Sequence, residues 1–99
     1  MAKPLKFLDE AIVEGHEAWT WYRLRSEKAG SRFQAAFEQA IEKFTEEPGR
    51  WPEYLHGTRY VSLKRFPYII VYRESADELQ VIPVAHGHRR QAYWKKRMQ

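Results

Sequence analysis

Between Phe44 and Val61 the spacing of apolar residues changes its period, and this limits the fold more than any other feature. Before the change, Ile12, Gly15, Ala18, Trp19 and Tyr22 recur at spacings of three and four, as do Phe33, Ala36, Phe37, Ala40, Ile41 and Phe44 in a second stripe. Each stripe marks one face of a helix. After the change, Thr58 to Lys64 alternates around Val61 and Leu63, Tyr68 to Arg73 is a nearly unbroken β-branched and aromatic run, and Leu79 to His86 repeats that signal. Those are strands. A short apolar stretch from Pro4 to Leu8 adds a strand of about five residues ahead of the first helix.

Local signals set the expected boundaries. Asp9 is placed to cap the first helix, with acid in the first turn where the macrodipole favours it, and the helix should run to about Arg25. Gly30 is expected to break the chain. Ser31, Arg32, Phe33 and Gln34 have the form of a capping box opening the second helix, which Pro48 and Gly49 end. A connection this short makes the helices an antiparallel hairpin. Phe66-Pro67 and Glu74 to Glu78 are hairpin-length turns, so the three strands form an antiparallel meander. The run from Tyr68 to Tyr72 reads as a central strand covered on both faces, whereas Pro83, which cannot donate to a ladder, belongs at an edge or a bulge.

Ninety-nine residues with 43% apolar content make one domain, spanning residues 1–99. Roughly 60 to 65% of such a chain's surface is removed from water on folding. Cysteine is absent, so neither a disulfide nor a thiolate zinc site is open to it, and no cofactor or metal is expected. MAKPLKFLDEAIVEG has acids where a secretory signal has its apolar core, and no window approaches the ~20 apolar residues of a membrane span. A cytoplasmic protein is expected. The formal net charge of +4 is uneven: residues 1–53 carry 8 Lys/Arg against 10 Asp/Glu, net −2, and residues 54–99 carry 9 against 3, net +6. A positive field of this kind attracts an anionic partner, either nucleic acid or an acidic protein segment.

The densest part of that field is VAHGHRRQAYWKKR, Val84 to Arg97, with no acid in it. His86 and His88 share a face of an extended chain, but with no third ligand nearby a hydrogen-bonded structural role outweighs a metal site. The candidate target- or anion-binding cations are Arg59, Lys64, Arg65, Arg73, Arg89, Arg90, Lys95, Lys96 and Arg97; Arg59 can equally pair with an acid such as Glu53. Trp94 is expected to bury its ring against the sheet and Tyr93 to expose its hydroxyl. Trp94 and Trp21 are also the candidate partner contacts, since one tryptophan of the first helix must point away from its apolar face.

A strand, a helical hairpin, the turn EEPGRWP, then TRYVSLKRFPYIIVYRE and VAHGHRRQAYWKKR resemble, as an ordered set, the RelE/ParE superfamily of type II toxin–antitoxin modules, whose members are often labelled plasmid stabilisation proteins. The resemblance covers nearly the whole chain. It implies a small α+β fold with the hairpin packed on a curved antiparallel sheet, a short C-terminal helix, and a cognate antitoxin that wraps the toxin, giving a hetero-oligomer. RelE-like members cleave messenger RNA in the ribosomal A site, and ParE-like members poison DNA gyrase.

Metal-independent RNA cleavage needs a base, an acid and cations around the phosphorane. RelE-like nucleases that resemble this chain place two lysines on the strand before the central one, an arginine in the central strand and an arginine after the last strand. An ungapped match puts Tyr60 and Ser62 at the lysine positions and Ile69 at the central arginine; only Arg89 is retained. Each missing donor costs ~10²-fold or more in rate. The expectation is therefore a ParE-like toxin that poisons gyrase. The alternative is a ribosome-dependent endoribonuclease using Arg89, His86, His88 and Tyr93, with Lys64 and Arg65 close enough for a bulge to restore a cation. A non-toxic basic nucleic-acid-binding domain is the second alternative, with only charge in its favour.

Overall fold

The computed structural model describes residues 3–87 and 93–98. Strand β1 (Leu5–Phe7) leads into helices α1 (Asp9–Arg23) and α2 (Glu27–Glu46), followed by strands β2 (Arg59–Ser62), β3 (Tyr68–Glu74) and β4 (Leu79–His86), with single 3₁₀ turns at Leu55–Gly57 and Lys95–Met98. The sheet order is β1-β4-β3-β2. The meander β2-β3-β4 is antiparallel as its turns predict, while β1 joins the far edge of β4 in parallel, Leu5 opposite Leu79 and Phe7 opposite Val81. The sheet is therefore mixed rather than wholly antiparallel, because the hairpin returns the chain across one face before β2 begins.

The helical hairpin departs from the sequence expectation at its turn. α2 opens at Glu27, not after Ser31, because Ser26 is the cap: its Oγ accepts from the Ala29 amide at 3.0 Å. Ser31 lies inside the helix. Gly30 does not break the chain; it is buried in α2, where a Cβ would stand 3.0 Å from Arg23 Cβ and 3.1 Å from its Cα. Glycine lets the two helices approach closely there, since a side chain would press on Arg23. α1 ends at Arg23 and Leu24 sits at its C-terminus, two residues short of Arg25; at the other end Leu8 is the cap position and Asp9 the first helical residue.

The apolar face of α1 keeps Gly15, Ala18, Trp19 and Tyr22 of the expected stripe, and Ile12 alone leaves it. Ala11 and Ala18 are buried while Ile12 is 56% exposed, so the sheet-facing line runs through Ala11, Ala18 and Tyr22. The stripe of α2 is as expected, with Phe33, Ala36, Ala40 and Phe44 buried against Val61, Leu63, Ile70, Tyr72, Leu79, Val81 and Val84. Tyr22 and Phe33 stack at 5.3 Å, and Phe44 stacks on Tyr72 at 4.3 Å.

Pro83 sits at a bulge. The register passes from Ile70 opposite Val84 to Tyr72 opposite Val81, so Val71 faces the extra residue in β4. This offsets the pleat by one: Leu79, Val81 and Val84 face the hairpin, and Ile82 joins Val71 on the other side. That second face is covered by Trp94, with Tyr54, Leu55, Tyr60, Ile69 and Met98 around it. Both faces of β3 are thus buried, as its composition predicts.

The EEPGRWP turn is fastened from three directions. Trp51 Nε1 donates to Lys43 O at 3.3 Å, Arg59 Nη1 donates to Trp51 O at 2.6 Å, and the Tyr72 hydroxyl donates to Pro48 O. Burial pushes the Tyr72 phenol up to about 12, against the nearby Arg59 charge, which lowers it.

Candidate functional site

β1 pairs with only the first half of β4, so the edge of β4 beyond Val81 needs other partners. Glu14 supplies one. It lies between Ala11 and Ala18 on the buried line of α1 and accepts from the Val84 amide at 3.1 Å. The same carboxylate accepts from the Tyr93 hydroxyl at 2.7 Å and from Arg97 at 2.8 and 3.0 Å. Arg97 also donates to Ile82 O at 3.3 Å. Glu14 thus joins α1, the bulged part of β4 and the C-terminal turn through one carboxylate. Its hydrogen bond holds the Arg97 guanidinium further toward the charged form than usual.

Three sequence expectations are corrected here. Arg97 is not a free anion-binding cation, because Glu14 neutralises it and its side chain is 16% exposed. Trp94 is 1% exposed, so its ring is buried against the sheet as expected and it is a packing anchor, not a partner contact. The Tyr93 hydroxyl is also held rather than displayed. Glu14 itself escaped the sequence reading, although an acid on the apolar line of an amphipathic helix is a signal that can be found.

The remaining basic residues divide into tied and open. Arg59 is a structural tie, bonded to Trp51 O and 3.6 Å from Glu53 Oε1, the paired reading of the two. Arg73 donates to Gln80 Oε1, its cross-strand partner, at 2.7 Å. Lys64 and Arg65 stand exposed in the β2–β3 turn, and Lys95 and Lys96 are exposed on the last turn. His88, Arg89 and Arg90 lie outside the described residues.

Of the proposed acid–base set, the structure brings together His86 and Tyr93. They line a cavity of ≈ 250 Å³ between α1 and the sheet, shared with Glu14, Glu17 and Trp21. The His86 ring meets Tyr68 edge-on at 5.2 Å. Trp21 is 49% exposed, and the Arg25 guanidinium covers its ring 3.1 Å from the centroid. It is the tryptophan of α1 that points outward, as expected. Among the described residues no group of three His, Asp or Glu is placed to hold a metal ion, and no helix is long and apolar enough to cross a membrane.

The positions that carry cations in RelE-like nucleases have a different environment. Tyr60 and Ile69 pack into the layer around Trp94, Val71 and Ile82, with Tyr54 and Tyr60 rings 5.3 Å apart and Tyr54 and Trp94 rings 6.2 Å apart. Ser62 is exposed at the end of β2. Among the described residues, an aromatic and aliphatic surface, not a cluster of cations, covers this side of the sheet.

The fold is similar to a solved chain from the chromosomal ParDE toxin–antitoxin system of P. aeruginosa, with a TM-score of 0.73 and 21% identity, covering 86% of this chain and 96% of that one. No curated protein sequence matches the chain. The profile of the "ParE toxin of type II toxin-antitoxin system, parDE" matches residues 5–93, from β1 to the tyrosine that Glu14 holds, and over that span the chain belongs to the ParE toxin family.

Proposed function

We propose that this ParE-family protein inhibits growth by poisoning DNA gyrase in the cytoplasm and is neutralised by a cognate antitoxin in a hetero-oligomeric complex. One observation carries the choice of target. The sheet face that would need cations to stabilise a phosphorane is filled by Tyr60, Ile69, Tyr54 and Trp94. This layer, with Trp94 buried and Tyr54, Tyr60 and Ile69 half-buried, supplies none of the positive charge that metal-independent RNA cleavage requires around the phosphorane. The ParDE origin of the structural relative supports an antitoxin partner. Lys95 and Lys96, with Arg89 and Arg90, are the cations proposed to meet the target or the antitoxin. Tyr93, Trp94 and Arg97 hold that segment to the body of the protein.

Induction in a bacterial host without antitoxin tests the reading. Gyrase poisoning predicts the DNA-damage response, filamentation and double-strand breaks with intact transcripts, and Arg89→Ala should then leave the messenger population unaltered. In-frame cuts within translated messages, abolished by Arg89→Ala, would replace this reading with the ribosome-dependent nuclease. Normal growth on induction would leave the basic nucleic-acid-binding alternative.

A further inference from the structure

A second basic surface lies away from the C-terminal turn. α2 and the β2–β3 turn enclose an open groove of ≈ 600 Å³, floored by Ala35, Ala36 and Phe66 and flanked by Arg32 on the helix and by Lys64 and Arg65 on the turn. None of its lining residues is an acid. The three cations are exposed, and among the described residues none of them forms an ion pair. Unlike Arg59, Arg73 and Arg97, they have no structural work in the fold.

Arg65 adds an independent observation. It takes a left-handed backbone conformation, φ 70, in the turn where Leu63 N donates to Tyr68 O at 3.0 Å. An arginine in that conformation costs on the order of 1 kcal/mol relative to glycine. A turn that keeps the cation at this cost points to a use for the side chain.

We propose that this groove docks an acidic, amphipathic peptide segment of a partner protein. Arg32, Ala35, Ala36 and Gln39 lie on adjacent turns of α2, so the groove follows the helix for ~10 Å, enough for about two turns of a helical ligand. Carboxylates of such a segment meet Arg32, Lys64 and Arg65, and an apolar side chain three or four positions away enters the alanine floor. Nucleic acid fits the groove less well. The aromatic rings there are committed to the core, Tyr22 edge-on to Phe66 at 4.9 Å and Phe66 edge-on to Phe33 at 5.3 Å, so neither offers a free face for a base. The proposal does not depend on which target the toxin attacks.

Amide-resolved NMR titration of the full chain tests it. The probes are a short peptide of Leu-Glu-Glu-Ala repeats, its counterpart with glutamine for glutamate, and an oligothymidylate of matching length. The glutamate peptide should shift Arg32, Ala35, Lys64 and Phe66, weaken with salt, and lose about tenfold or more in affinity in the exposed-site variant Arg32→Glu/Arg65→Glu. Ala35→Tyr, which fills the floor without altering charge, should weaken it as well, with thermal unfolding confirming that both variants fold. Shifts absent from the groove or confined to Lys95 and Lys96 would overturn the proposal. So would equal binding of the glutamine peptide, or tighter groove binding by the oligothymidylate.

Discussion

Glu14 and Arg97 meet at 2.8 Å across 83 positions of sequence, with side chains 19% and 16% exposed. Removing one partner from so sheltered a pair leaves the other charge without compensation, which costs more than the pair itself contributes. Glu14→Ala should lose about 2–4 kcal/mol in urea unfolding, since Tyr93 and the Val84 amide lose their acceptor too. Glu14→Ala/Arg97→Met should recover part of that loss. Tryptic cleavage after Lys95 and Lys96 should accelerate in Glu14→Ala alone, and an unchanged digestion rate would show that the C-terminal turn is held by other contacts.

Trp94 is the anchor of that turn on the outer face of the sheet. Its truncation to alanine opens a cavity against Val71 and Ile82, and a loss of about 3–5 kcal/mol is expected. Trp94→Phe should keep most of the packing and cost less. Equilibrium unfolding of the two variants checks the order.

Tyr72 gives the fold a distinct alkaline limit. Its folded pKa, about 12, exceeds the ordinary value of 10.0, because burial disfavours the phenolate. The unfolded chain therefore releases the proton first, and the stabilisation, complete below pH 10, declines as pH rises from 10 toward 12. Tyr72→Phe should cost about 1 kcal/mol at neutral pH, through the lost bond to Pro48 O, and should flatten that decline. Parallel Tm-versus-pH curves for the two proteins would contradict the assignment.

Gly30 separates two readings of one residue. As a helix breaker, its replacement by alanine would stabilise α2 by about 1 kcal/mol. As the contact point of the hairpin, the new Cβ stands 3.1 Å from Arg23 Cα, a backbone atom that moves only if the helices spread by a few tenths of an ångström. A net loss of about 1 kcal/mol is expected for Gly30→Ala. A rise in Tm would favour the breaker.

The fold was more legible than the site, and particular residues show why. The stripe from Phe33 to Phe44 and the strand run from Tyr68 to Tyr72 report their own burial, because periodicity is a local record of which face meets the core. Pro83 announced its bulge through a missing amide hydrogen. Ser31 and Gln34 have the pattern of a capping box, yet Ser26 caps the helix through the Ala29 amide, and Gly30 packs against Arg23 instead of breaking the chain. On α1 the pattern placed Ile12 in the stripe, but its neighbour Ala11 is the buried residue and Ile12 is exposed. At the C-terminus, Trp94 buries its ring as expected, whereas Tyr93 and Arg97 looked like surface candidates until contact with Glu14 made them structural residues.

From sequence alone come the order of helices and strands, the positive C-terminal half and the family resemblance. These rest on composition and spacing, which act over a few residues or over the whole chain. Tertiary structure decided which cations are tied and which are open, that β1 closes the sheet in parallel, and that Glu14 is the point where helix, strand and C-terminus meet. The reason is physical: an ion pair or a close helix crossing depends on distances between residues remote in the chain, and no local pattern encodes them until the core brings them together.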